Sequence, residues 1–245
     1  MLVARRADRP LVIAHRGFSA KHSENTPEAF EAAIASGADF IETDVRLSND
    51  GTLYCNHDPH LERTRGSDRT IADLQDDALD ALEIARLATV LELAKGRIPV
   101  LLDLKLTYAN YPLVVLEEVN RHQMAESVIL GVRTVAQAAA LHAEAPKQTV
   151  LGFLKEESEI PAFYRAGGTI GRLWEEDVTA HSIRRAGTGE HPVWVTAGLR
   201  QTGEAPGQID TARLQRLRQL GVDGVLVNDP EAALRALRTD GVPAQ

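Results

Sequence analysis

LVIAHRGFSAKHSENTPEAFEAAIASGADFIETDV, residues 11–45, reads as one complete βαβ unit. Leu11 to His15 is a short apolar run, Pro27 to Ser36 follows at helical spacing with Pro at its start, and Phe40 to Val45 is a second apolar run. The alternation then repeats along the chain. Further strands are expected at Val100 to Leu104, Ser127 to Leu130, Thr149 to Leu154, Thr169 to Leu173, Val193 to Ala197 and Gly224 to Val227, eight in all. Helices are expected at Thr89 to Ala94, Pro112 to His122, Thr134 to Ala143, Asp177 to Arg185, Thr211 to Leu220 and Pro230 to Leu237. Strands that alternate with helices in this way form a parallel sheet. Eight such units suit a closed (β/α)8 TIM barrel better than an open doubly wound sheet, and no glycine-rich phosphate fingerprint follows Leu11 to His15.

The 245 residues would also accommodate two average domains, but no Pro/Gly/Ser-rich linker interrupts the pattern, so a single domain over 1–245 is expected. Two stretches are weakly patterned, Leu61 to Arg86 and Gly198 to Gln208, and both read as loops over the active-site end or as solvated connections. Composition narrows the function. Hydrophobic residues at 44% and charged residues at 25% are ordinary for a soluble domain, and no apolar run reaches the roughly 18 residues of a membrane span. A net charge of −8 argues against a nucleic-acid footprint. Met1 to Pro10, with Arg5, Arg6 and Arg9, lacks a cleavable leader and reads as a cytoplasmic N-terminus. The single Cys55 excludes an intrachain disulfide and any multi-cysteine zinc site, and reads as a buried, inert thiol.

The chemistry gathers near the ends of the first three barrel strands. Asn49-Asp50-Gly51-Thr52 is a strong hairpin signal, and a two-residue type I′ turn there would set Asp44 opposite His57. Strand alternation puts Glu42 on the face of Asp44, and Asp103 with Lys105 on one face of their strand. His15 ends the first strand beside Arg16, at the mouth where barrel enzymes keep their chemistry. Three neighbouring buried carboxylates are costly unless a cation or protons compensate them; a hard divalent ion is the simplest solution, and all-oxygen ligation selects Mg2+ or Ca2+ over zinc. With one divalent ion, Arg16 and Lys105 in place, the site complements a phosphodiester anion. Two flanking histidines supply what P–O cleavage requires, a proton acceptor and a proton donor with intrinsic pKa values near neutrality.

At His15-Arg16-Gly17, Glu24-Asn25-Thr26, Glu42-Thr43-Asp44-Val45, Asp50-Gly51, His57-Asp58-Pro59 and Leu61-Glu62-Arg63-Thr64 the chain resembles the glycerophosphodiester phosphodiesterase family in order and spacing. Leu220 to Gly224 followed by Asn228-Asp229-Pro230 resembles that family's last barrel unit. The resemblance implies a hydrolase of glycerol and lipid metabolism that splits a small-molecule glycerophosphodiester into an alcohol and glycerol 3-phosphate. It implies His15 and His57 as the catalytic pair, Glu42, Asp44 and Asp103 as metal ligands, and Arg16 and Lys105 as phosphate contacts.

Three features depart from the family. Asp103 stands where Glu is usual, and its shorter reach suits a water-mediated contact, hence Mg2+ over Ca2+. The His57 to Asp103 segment is short. Trp194 falls one place before the usual aromatic position, on the opposite face, so Trp174 at the end of the sixth strand is the candidate to replace it in binding substrate. Two other readings remain at this level, a sphingomyelinase D-like phospholipase acting on lysophospholipids and a non-catalytic phosphodiester-binding barrel.

Overall fold

The computed structural model describes residues 8–187 and 190–238; Arg5 and Arg6 of the N-terminal stretch lie outside them. Nine strands are present among the described residues: β1 (Leu11–Ala14), β2 (Phe40–Leu47), β3 (Leu53–Cys55), β4 (Val100–Leu104), β5 (Val128–Val132), β6 (Thr149–Gly152), β7 (Ile170–Trp174), β8 (Val193–Thr196) and β9 (Gly224–Val227). Parallel pairing runs in the order β1-β9-β8-β7-β6-β5-β4-β2, and the further β1–β2 pairing closes the ring. This is the expected (β/α)8 barrel. No helix among the described residues is long and apolar enough to cross a membrane.

Around the ring lie α1 (Pro27–Ser36), α4 (Leu87–Ala94), α5 (Tyr111–Arg121), α6 (Val135–Glu144), α7 (Ile160–Arg165), α8 (Ala180–Gly187), α9 (Thr211–Leu220) and α10 (Pro230–Arg238), preceded between β3 and α4 by the short α2 (Glu62–Arg65) and α3 (Asp76–Ala81). The boundaries of α1 follow from its ends. Thr26 accepts the Ala29 N–H, Pro27 opens the first turn, and Gly37 at φ +82° ends the helix, a conformation with little steric cost for glycine alone. Asp210 and Gly221 do the same for α9.

Strand alternation divides the core in two. Leu11, Ile13, Leu101, Ile129, Ile170 and Trp194 fill the barrel interior, whereas Val100, Leu102 and Leu104 pack outward among the helices. Trp194 lies in this floor, edge-on to Phe40 with ring centroids 5.2 Å apart.

The β2–β3 hairpin corrects the expected register by one residue. Val45 pairs with Cys55 and Leu47 with Leu53, so Asp44 faces Asn56, whose N–H reaches the Asp44 carbonyl at 3.1 Å. The turn is longer than the two-residue form: the Ser48 N–H donates to Thr52 O, and Gly51 takes φ +85°. The cause is tertiary. Asp76, opening α3, accepts the hydroxyls of Ser48 and Thr52, and Asp50 accepts the Asp76 N–H. The weakly patterned 61–86 segment thus clamps the turn, around a small core of Tyr54, Leu61, Ile71, Leu74, Leu79 and Ile84.

Candidate active site

A cavity of about 790 Å³ opens at the C-terminal ends of the barrel strands. His15, Arg16, Glu42, His57, Asp103, Lys105 and Trp174 all line it. Asp44 is buried among them. The structure therefore brings together every residue expected from the sequence, each delivered by a definable local device.

Glu42 and Asp44 share the inward face of β2, and Asp103 comes from the neighbouring β4, paired in register with Asp44. One ligand oxygen from each lies within 4.8 Å of the others. Burial, with Asp44 and Asp103 nearby, raises the Glu42 carboxyl well above its ordinary range. Asp44 is lowered despite its burial, because Lys105 and Arg16 hold it ionised. Lys105 Nζ lies 2.6 Å from both Asp44 Oδ1 and Asp103 Oδ2, forming an ion pair with each. Arg133, following β5, contacts both oxygens of Asp103 at 2.7 Å.

Asn25 orients Asp44. Its Nδ2 donates to Asp44 Oδ2 at 2.9 Å while its Oδ1 accepts from Thr43, and the next residue, Thr26, caps α1. The donor set fits a divalent cation. It is all oxygen, Glu42 is incompletely compensated, and buried Asp44 Oδ1 has the Lys105 ion pair but no well-angled hydrogen bond.

The histidines are held through Nδ1. His15 Nδ1 meets Asn228 Oδ1 at 2.8 Å, and Asn228 is oriented by donating from Nδ2 to Pro206 O at 2.9 Å. His15 Nδ1 therefore carries the proton, leaving Nε2 as the acceptor. Burial, reinforced by Arg16, brings its pKa down to about 4. His57 Nδ1 meets Asp58 Oδ1 at 2.7 Å. Burial lowers this imidazole too, opposed by the charge of Asp44 and the bond to Asp58. Arg46 grips the His57 carbonyl from Nε and Nη2, fixing the chain where it leaves β3. Beyond Asp58, Arg63 joins Glu24, and Glu24 joins Arg16. The tripeptide His57-Asp58-Pro59 is thus tied back to His15-Arg16 through ion pairs.

Gly207 contacts this apparatus directly. It sits at φ +88°, and a Cβ there would lie 2.0 Å from Asn228 Oδ1 and 2.9 Å from His15 Nδ1. Gly207→Ala should therefore push Asn228 off His15, lowering turnover by about tenfold or more with a stability loss of roughly 1–2 kcal/mol from the left-handed backbone. Steady-state kinetics and thermal melting test both effects; unchanged turnover in the folded variant would remove Asn228 from the positioning of His15.

Sequence reasoning missed Arg133, Arg172 and Arg200, which also line the cavity. Arg172 was accessible by the argument that found Glu42 and Asp44, being a charged residue on the inward face of an apolar barrel strand beside Trp174. Arg200 belongs to the 198–208 loop, whose path no local pattern specifies.

Fold and site together define a (β/α)8 barrel with a buried acidic cluster and two histidines at its strand-end mouth. A family model described as the glycerophosphoryl diester phosphodiesterase family matches residues 15–164, and the chain belongs to that family. A 58-residue stretch is 52% identical to a probable glycerophosphodiester phosphodiesterase 1 of Mycobacterium tuberculosis, spanning 24% of this chain and 21% of that relative. The similarity to a glycerophosphodiester phosphodiesterase of Bacillus altitudinis is 27% over 242 residues, 91% of this chain and 96% of the relative. Among solved structures, an Oleispira antarctica phosphodiesterase in complex with its product sn-glycerol-3-phosphate superposes with a TM-score of 0.81 at 19% identity, covering 94% of this chain and 98% of that one.

Proposed function

We propose that the protein is a metal-dependent glycerophosphodiester phosphodiesterase that releases an alcohol and glycerol 3-phosphate by two-histidine acid-base catalysis. The observation that carries this reading is the pair of Nδ1-anchored imidazoles beside a three-carboxylate cluster in one cavity. His15, neutral at pH 7, takes at Nε2 the proton of the attacking glycerol hydroxyl as the P–O bond to the alcohol breaks, and water then opens the cyclic phosphate so formed to give glycerol 3-phosphate. His57 returns a proton to the leaving alkoxide, and the Asp58 carboxylate favours its imidazolium form.

Glu42, Asp44 and Asp103 would hold one Mg2+ or Ca2+, with Mg2+ favoured because Asp103 is short and shares both its oxygens with Arg133. Such an ion supplies Lewis-acid stabilisation of phosphoryl charge. Arg16 and Lys105 orient the phosphate, and Trp174 flanks the alcohol end of the cavity. The product held by the Oleispira protein supports the glycerol 3-phosphate assignment. The same proposal takes residues 1–245 as one barrel domain acting on a small molecule, not on nucleic acid. It places that domain in the cytoplasm, in keeping with a buried free Cys55.

The test is phosphorus NMR of the products from glycerophosphocholine, glycerophosphoethanolamine, glycerophosphoglycerol and a lysophospholipid, each with Mg2+ or Ca2+. Glycerol 3-phosphate from at least one of the water-soluble diesters is expected. Turnover of the lysophospholipid alone would replace this reading with the phospholipase one, and no turnover of any would favour a binding barrel.

A further inference from the structure

Among the described residues, two cationic side chains of the cavity wall have no ionic partner: Lys155, which is exposed, and Arg172, which is half-buried across the barrel from the acidic cluster. In the ring of eight strands β7 lies four positions from β2 in either direction, so Arg172 on the inward face of β7 looks across the cavity at Glu42 and Asp44. The other arginines and the central lysine of the cavity wall are neutralised. Arg16 is paired with Glu24 and Asp44, Lys105 with Asp44 and Asp103, Arg133 with Asp103, and Arg200 with Glu176 and Asp177. Arg172 has no carboxylate at ion-pair distance among the described residues. Among the described residues its one hydrogen bond goes from Nε to Thr196 Oγ1 at 2.9 Å, and neither terminal nitrogen of the guanidinium has an acceptor there.

Holding an uncompensated guanidinium in a half-buried wall is unfavourable unless a ligand supplies the counter-charge. Burial brings Arg172 down to about 9, which still leaves it a cation at neutral pH. Its orientation is set by aromatic rings. The guanidinium carbon lies 3.6 Å from the Trp174 ring centroid and 5.5 Å from that of Phe153. Arg200 also approaches Trp174, at 4.8 Å. An indole already carrying two guanidinium groups is a poor receptor for a third cation, so the aromatic at this end does not select a quaternary ammonium. What remains is a planar, pre-oriented donor fork suited to a phosphate or a carboxylate.

We propose that Arg172 is a specificity-determining residue selecting glycerophosphodiesters whose alcohol carries an anionic group of its own, a phosphomonoester or a carboxylate. This rests on the phosphodiesterase reading and names its substrate class. The scissile phosphate lies at the histidine end, and the second anion is held on the far wall by the terminal nitrogens of Arg172. A choline or ethanolamine head would instead bring its positive charge against Arg172.

The full chain with Mg2+ is assayed on four diesters of glycerol 3-phosphate, whose alcohols are choline, glycerol, glycerol phosphate and glycerate. The two anionic alcohols should exceed choline in kcat/KM by about tenfold or more, as for a charge-assisted hydrogen bond. The phosphate and carboxylate arms show which anion is preferred. In Arg172→Gln the anionic substrates should lose about tenfold more than the glycerol diester, chiefly through KM, and Arg172→Lys should restore part of the preference. Melting curves identify a variant that fails to fold, in which case Arg172→Lys alone carries the comparison and should show a reduced preference. Wild-type cleavage without preference for the anionic alcohols, or equal losses on every substrate in the folded variants, overturns the Arg172 assignment while leaving the phosphodiesterase reading intact. No cleavage of any of the four overturns both.

Discussion

His15→Ala and His57→Ala should each lower turnover by about 10^2-fold or more, with little change in melting at neutral pH. Both imidazoles are anchored at one nitrogen and line the cavity with the rest of the ring, so neither is a principal support of the barrel. The wild-type pH profile carries a further signature. His15 is brought down to about 4, below the 6.5 of a free imidazole, so its base form persists well into the acid range. The acid limb of kcat/KM should accordingly fall below 6.5. For stability the sign is fixed by proton uptake. Between about 4 and 6.5 the unfolded chain binds the proton that folded His15 refuses, so its contribution opposes folding progressively as pH drops through that window. His15→Ala should then lose less stability than wild type on acidification, measured by denaturant titration at pH 7 and pH 5. Near wild-type turnover in either alanine variant would sink the role assigned to that histidine.

Chelation should abolish activity, and Mg2+ or Ca2+ should restore it. Within the cluster the carboxylates are not equivalent. Asp103 shares both oxygens with Arg133 and one with Lys105, whereas Glu42 has, among the described residues, only the Arg16 backbone N–H at 2.8 Å and stands raised well above its usual range. Asp44 is central, fixed by Asn25 and placed between Arg16 and Lys105. Asp44→Asn should therefore weaken metal binding by about 10^2-fold, more than Asp103→Asn does. It should also destabilise the metal-free protein by about 3–5 kcal/mol, because Lys105 and Arg16 lose a buried counter-charge. Calorimetric titration of the folded variants decides the first point. Equal affinity constants for wild type and Asp44→Asn would remove the metal site from the account.

Much of the site was readable without coordinates because strand geometry is periodic. Glu42 and Asp44 two residues apart on β2, and Asp103 and Lys105 two apart on β4, must share a face whatever the rest of the chain does. Helix ends were readable where chemistry marks them: α1 and α9 begin and end where expected, each closed by a glycine in the left-handed region. α7 was missed, a helix of six residues too short for its period to stand out, and α8 starts at Ala180 because residues 175–177 form a 3-10 turn at the end of β7. His57 lines the cavity, but not through the expected pairing with Asp44. It has left the strand and is held by Arg46, while Asn56 takes the place opposite Asp44.

Residue order and alternation by themselves determined the barrel, the inward carboxylates and His15 at its mouth, since these depend on periods of 2 and 3.6 and on order along the chain. Tertiary structure alone decided the hairpin register, through Asp76 reaching back to Ser48 and Thr52 from 24 or more residues away. It alone decided that Asn228, 213 residues from His15, fixes which imidazole nitrogen is free. It alone left Arg172 without an ion pair among the described residues while neutralising the other arginines around it, because charge compensation depends on through-space distance, which no local period encodes.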